Sequence, residues 1–223
     1  FKHALKLKEL TDTDIKWPES TSTISTMTML NDLAALKSLT DLTLDRVRNI
    51  HEWKIVESCR CLLSLDIRSP IDFQLQTDSH SQLFRTLEML FISFDCAAIQ
   101  HVRLTFTKLD HISLKITSNE RSNTDISEAV NLFMQANFVN GINKSLTTLV
   151  LYQDSSFDLM LITIFNFPAL TYMRLEISDL YNRGRDEEFC EEFYDRICTR
   201  VECLQTLTFV FKCSQRRLGF QFD

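Results

Sequence analysis

Seven times along the chain the hexapeptide apolar-x-x-apolar-x-apolar recurs, and no other feature so narrows what the chain can become. The copies are Leu39-Leu42-Leu44, Leu62-Leu65-Ile67, Leu87-Leu90-Ile92, Leu109-Ile112-Leu114, Leu146-Leu149-Leu151, Leu170-Met173-Leu175 and Leu204-Leu207-Phe209. Their first positions are separated by 23, 25, 22, 37, 24 and 34 residues. Four of these intervals fall in the range of roughly 20–29 residues used by short solenoid repeats. One such hexapeptide means nothing; seven in phase predict a stacked array. The x-apolar-x-apolar-x centre of each copy reads as a short strand whose alternate side chains face opposite sides. The two strand positions and the leading leucine point inward, where each contributes roughly 1.5–3 kcal/mol once a neighbouring copy covers it. A single copy has no core, so the array folds as a unit over residues 1–223, with about seven to eight irregular repeats. Leu5 and Leu7 read as the remnant of an earlier copy.

Between strands the chain must return behind the sheet. Ile50, Trp53 and Val56 have helical spacing. From Asp125 to Asn140, the residues Ile126, Ala129, Val130, Phe133, Met134 and Phe138 form one apolar stripe, with Asp125 and Glu128 at capping spacing and Gly141 as a stop. Ser156 to Phe165 is a third predicted helix, ended by Pro168. Asp186 to Val201 is a fourth, with Phe189, Phe193 and Ile197 on one face and acidic residues at its positive end. The polar stretches Ser118–Thr124 and Asn182–Asp186 read as exposed loops within the two long intervals. Leu218, Phe220 and Phe222 alternate and predict a last strand capping the core.

Strand parity also names the face that meets solvent. If Leu42 and Leu44 point inward, Asp41, Thr43 and Asp45 point outward, and the same holds for every copy. A merely solvated face would be polar throughout, yet the middle copies present Met89, Phe91, Val150, Tyr152 and Tyr172. Around these stand Asp66, Arg68, His111, Lys115, Arg174 and Glu176. Aromatic anchors inside a rim of mixed charge are the composition of a protein-binding hot spot. These eleven residues are the expected partner-binding set, and Phe91, Tyr152, Tyr172 and Arg174 its expected anchors.

Other function classes find little support. The net charge of −6 and pI near 5.4 oppose nucleic-acid binding, which needs a basic surface. No run approaches the ~20 apolar residues of a membrane span, and Leu159–Phe167 reads as core. With three glycines and three prolines, phosphate-cradling loops and long linkers are not expected. The seven cysteines, at 59, 61, 96, 190, 198, 203 and 213, contain no C-x-x-C pair and match no zinc spacing. They read as free thiols of a reducing, cytoplasmic or nuclear compartment. The five histidines, at 3, 51, 80, 101 and 111, stand in no nucleophile–base arrangement. No catalytic residue, metal site or cofactor is therefore expected.

The seven copies resemble the leucine-rich-repeat family over most of the chain, in its irregular intracellular form, that of ribonuclease inhibitor and F-box proteins. The strict family pattern places Asn or Cys three residues after the last strand leucine. Here those positions are Val47, Pro70, Asp95, Thr117, Asp154, Ser178 and Lys212. The departure is similar to the degenerate repeats of fungal and plant F-box proteins. The resemblance implies an α/β leucine-rich-repeat solenoid with a curved parallel β-sheet on its concave face and helices or turns on its convex face. It implies a substrate-recognition domain of a Skp–cullin–F-box ubiquitin ligase, non-catalytic itself. Its partners would be a ubiquitination substrate on the concave face and a Skp-family adaptor bound through an F-box N-terminal to these residues. The alternatives are a non-ligase scaffold and an enzyme inhibitor that plugs an active site.

Overall fold

The computed structural model describes residues 9–11, 38–73, 75, 83–99, 102, 107–117, 132–133, 135–137, 144–153, 167–177, 186–199, 201–211 and 216–221. Each of the seven hexapeptides forms a strand where alternation placed it. The strands are β1 (Glu9–Thr11), β2 (Asp41–Leu44), β3 (Ser64–Ile71), β4 (Met89–Asp95), β5 (His111–Thr117), β6 (Thr148–Gln153), β7 (Tyr172–Ile177), β8 (Thr206–Phe211) and β9 (Arg216–Gln221). They form one open sheet in the order of the sequence. Strands β1 to β8 are parallel, and β9 turns back antiparallel on β8.

The register is the sequence phase made physical. Leu42, Leu65, Leu90, Ile112, Leu149, Met173 and Leu207 pair in a row across the sheet. Leu44, Ile67, Ile92, Leu114, Leu151, Leu175 and Phe209 form a second row one pleat along. All fourteen are buried, as are all seven leading leucines. A slip of one residue anywhere would turn a whole copy's apolar set to solvent, which is why intervals of 22 to 37 residues coexist with one unbroken register.

The corners leading into the strands are closed by the backbone. One carbonyl per copy accepts two N–H groups from the next: Thr40 from Leu63 and Ser64, Leu63 from Glu88 and Met89, and Glu88 from Asp110 and His111. The series continues as Asp110 from Thr147 and Thr148, Thr147 from Thr171 and Tyr172, and Thr171 from Gln205 and Thr206, all at 2.7–3.1 Å. Because these bonds use main-chain groups, they make no demand on side-chain identity. Thr147 and Thr171 add hydroxyl bonds to the carbonyls of Asp110 and Thr147.

Behind the sheet, among the described residues, lie the helices α1 (Ile50–Glu57), α2 (Leu83–Thr86), α3 (Cys96–Ile99) and α4 (Asp186–Cys198). Asn49 caps α1 by accepting from the N–H groups of His51 and Glu52, while the Glu52 carboxylate accepts from the Arg48 N–H at 2.6 Å. Trp53 and Val56 then enter the core, as the helical spacing predicts, while Ile50 packs half-buried against it and Ile55, outside that spacing, is buried as well. On α4, Phe193 and Ile197 are buried, and Phe193 meets Phe209 edge-on at 5.6 Å.

Residues 132–133 and 135–137 are helical, inside the range given by the Asp125–Asn140 stripe. Phe133 packs at 6.1 Å from Phe94 of β4. The remainder of that stripe, the Ser156–Phe165 helix, the Ser118–Thr124 loop, residues 182–185, Leu5, Leu7 and Phe222 lie outside the described residues. The earlier copy is represented by β1, where Leu10 pairs with Leu42. The predicted capping strand is present as β9, its Leu218 and Phe220 in register with Phe209 and Leu207.

Candidate functional site

The outward face carries three cross-strand rows, and the register decides which predicted residues meet. The first row runs Ser64, Met89, His111, Thr148, Tyr172, Thr206. The second runs Asp66, Phe91, Ser113, Val150, Arg174, Thr208, and the third runs Ser93, Lys115, Tyr152, Glu176, Val210. Neighbours in a row stand about 4.8 Å apart, so large side chains cover one another. Met89 and Arg68 are exposed, whereas Asp66, Phe91, His111, Lys115, Tyr152, Tyr172 and Arg174 are half-buried. Val150, between Ser113 and Arg174, is buried, and so is Glu176. Phe91 tilts against the His111 ring at 5.0 Å between centroids.

Where β3 meets β4 the sheet is irregular. Ile67 pairs with Ile92 and Ile71 with Phe94, so Arg68, Ser69 and Pro70 stand opposite the single residue Ser93. The bulge is tied back to β2 by the Ser69 N–H donating to the Asp45 carbonyl at 2.7 Å. Bulges bend a strand and re-aim the side chains beside them. Here the bulge sets Arg68 at the wall of a depression of about 300 Å³ that opens on the outward face. Asp66, Arg68, Phe91, Ser113, Lys115 and Tyr152 line it, with Ile67 and Ile92 beneath. Five of these belong to the set expected from the sequence, drawn together from four strands.

Sequence reasoning left out two parts of this arrangement. Ser113 was placed on the outward face but in no role. The bulge had a signal in Pro70, which cannot donate to a strand ladder and marks an edge or an irregularity.

The electrostatics divide the face in two. Over β7, the Arg174 guanidinium bonds the buried Glu176 carboxylate. Burial works against that charge, but Glu176 and the Tyr172 phenol outweigh it and hold the Arg174 pKa above its ordinary value. Its Nε is buried with no hydrogen-bond partner. Arg174 is therefore mostly spent on its own strand, and a partner meets it as part of a neutral pair.

Among the described residues that line the depression over β3 to β6, Asp66, Arg68 and Lys115 carry charge. Asp66 lies 3.7 Å from Arg68. Burial raises the Asp66 pKa above its ordinary value despite the opposing pull of Arg68. Burial likewise lowers the His111 pKa, with Asp110 opposing, and leaves Nε2 without a hydrogen-bond partner. The imidazole beside Phe91 is thus held toward its neutral form.

Among the described residues, no group of three or more His, Cys, Asp or Glu side chains could hold a metal ion. No helix among them is long and apolar enough to cross a membrane. No family model, no curated protein and no solved structure matches the chain.

Proposed function

We propose that the chain is a leucine-rich-repeat solenoid that holds a protein partner on the outward face of its sheet. The observation that carries this reading is the coincidence of the depression with the residues parity had chosen. Phe91 and Tyr152 supply apolar contact area, while Asp66, Arg68 and Lys115 supply a charged rim around them. That combination suits a protein surface, because aromatic anchors in a concave, partly desolvated setting carry most of the affinity in such interfaces.

The resemblance carries the proposal one step further, to the substrate-receptor part of a Skp–cullin–F-box ubiquitin ligase. In that role the face selects the protein to be modified, and the chemistry of ubiquitin transfer belongs to other subunits.

Two measurements test the two steps separately. Affinity capture with the wild-type chain and with a Phe91→Ala/Tyr152→Ala double variant tests the face. Specific partners should fall by at least about tenfold, roughly 1.4 kcal/mol, while circular dichroism remains native. Undiminished capture by the double variant sinks the proposed face. Co-purification of the natural gene product with a Skp-family adaptor and cullin tests the ligase role. Its absence, with capture through the face intact, leaves a scaffold or inhibitor.

A further inference from the structure

The rim of the outward face carries apolar surface beyond the depression. Among the described residues, Leu63 is 37% exposed and Met89 38%. The two are neighbours, since the Leu63 carbonyl accepts the Met89 N–H at 2.9 Å in the corner where β3 and β4 begin. The corner itself makes no demand for leucine. The carbonyls that take two N–H groups belong to Thr40, Leu63, Glu88, Asp110, Thr147 and Thr171, and of these residues only Leu63 is apolar. Because the bonds are main-chain bonds, a polar residue would close the corner as well and leave less apolar surface in water.

This rim patch runs into the depression. Met89 and Phe91 alternate onto the same face of β4, roughly 6.7 Å apart, and Phe91 lines the depression together with Tyr152. From Met89 to Tyr152 the register steps along the strands and across to β6, a span of roughly 16 Å. The track lies over the interior of the sheet, for β4 is bonded to β3 on one side and to β5 on the other. A segment resting there finds no open strand edge and must hold on through side chains. A helix meets that condition, because it satisfies its own backbone, whereas an extended segment would bring unpaired N–H and C=O groups over apolar surface. Three helical turns cover about 16 Å, the length of the track.

We propose that this track, from Leu63 and Met89 through Phe91 to Tyr152, seats an amphipathic helix of the protein partner, an inference that rests on the protein-binding reading above. Apolar side chains spaced i, i+4, i+7 and i+11 on that helix fall in turn on the rim, on Phe91 and in the depression. The flexible thioether of Met89 adapts to the first of them.

The experiment titrates the full chain, labelled with nitrogen-15, with three terminally blocked peptides. The first is an alanine-rich helix former with leucine at i, i+4, i+7 and i+11 and glutamate–lysine pairs on its other side. The second spreads the same leucines around the helix, and the third carries proline at its centre. The first peptide should gain helical circular dichroism on binding and shift the amides of Leu63, Met89, Phe91 and Tyr152. It should bind at least about tenfold tighter than the other two. A Leu63→Ser/Met89→Ser variant should lose at least about tenfold for it while its own circular dichroism stays native, because both side chains are exposed.

Equal binding of the first and second peptides overturns the proposal, and equal binding of the proline peptide overturns the helical occupant. Unchanged affinity in the Leu63→Ser/Met89→Ser variant overturns it too. A dimer in sedimentation velocity that this variant dissolves would give the track to a second copy of the chain instead. Partner capture separates the two levels. Dependence on Phe91 and Tyr152 without dependence on Leu63 and Met89 overturns the helix track and keeps the binding face. Independence from all four removes both.

Discussion

Replacing Asn137 tests whether the long return between β5 and β6 is tied to its neighbour by the amide of one side chain. Asn137 is 1% exposed, and its Nδ2 donates to the carbonyls of Val102 at 3.0 Å and Phe133 at 2.7 Å. The Phe133 bond lies within one helical turn. The Val102 bond reaches the previous return, across 35 residues of chain. A buried neutral hydrogen bond contributes about 1 kcal/mol net, and more when its loss leaves a buried group unsatisfied. Asn137→Ala removes both bonds and leaves their buried carbonyls without this partner, so its cost should be about 2–3 kcal/mol. For a chain of this length that corresponds to a melting temperature lower by about 4–12 °C. Asn137→Leu restores volume but neither bond and should cost about 2 kcal/mol. Asn137→Asp turns a carboxylate toward two carbonyls and should be the worst of the three, at about 3 kcal/mol or more. Urea unfolding followed by circular dichroism measures all three, with amide exchange at residues 132–137 as a local readout. If Asn137→Ala lies within about 0.5 kcal/mol of wild type, or if Asp is tolerated better than Leu, the tie is not made as described.

Two further outcomes follow from burial. The folded pKa of His111 lies below its ordinary 6.5, so between those values the unfolded chain binds more protons and stability rises with pH. The wild-type melting temperature should therefore drop as pH falls from neutral through that window. His111→Gln should drop less, and equal slopes would falsify the assignment. Burial pushes the Cys59 thiol up to about 12, with Sγ donating to the Ile55 carbonyl, while Cys61 and Cys203 are exposed. An aromatic disulfide reagent at mildly alkaline pH should label Cys61 and Cys203 in the folded protein. Cys59 should react only as fast as the domain opens, and labelling as rapid as at Cys61 would refute its burial.

The inner face of the sheet was legible in the sequence because one physical demand, stacking of like positions, repeats seven times. Where that demand failed in a single residue, reading failed too. The copy containing Leu10 pairs with Leu42, but Asp12 occupies its third apolar position and hides the pattern. Asn137 was invisible for the opposite reason. It lies four residues after Phe133 and so shares the apolar face, where a pattern search expects a hydrophobic residue and reads a polar one as surface. The outward face was legible as a set of residues and not as a surface, because parity gives direction without exposure. Val150 and Glu176 point outward and are nonetheless buried, since strands so closely spaced let Arg174 and Tyr152 cover them.

The absent Asn or Cys positions separate what this architecture needs from what it merely uses. An asparagine ladder would regularise the turn after each strand. Here β4 and β5 run on through that position, ending at Asp95 and Thr117, and the Thr117 hydroxyl donates to the Phe94 carbonyl of the neighbouring strand at 3.2 Å. The opposite corner carries the two-donor carbonyl in six successive steps, built from Thr, Leu, Glu, Asp, Thr and Thr. Since those bonds are main-chain bonds, drift in side chains leaves them intact, and register survives as long as the inner rows stay apolar. Such an array can then accept a local fault without losing its frame. The three residues opposite Ser93 are such a fault, held from behind by Ser69 on Asp45. They open the sheet where Phe91, Arg68 and Lys115 converge. The repeating positions build the scaffold, and the one place where β3 departs from them makes the depression. Deleting Ser69 and Pro70 should therefore close the depression and abolish partner capture while the stacked core survives. Retained capture by such a variant would show that the bulge is incidental to binding.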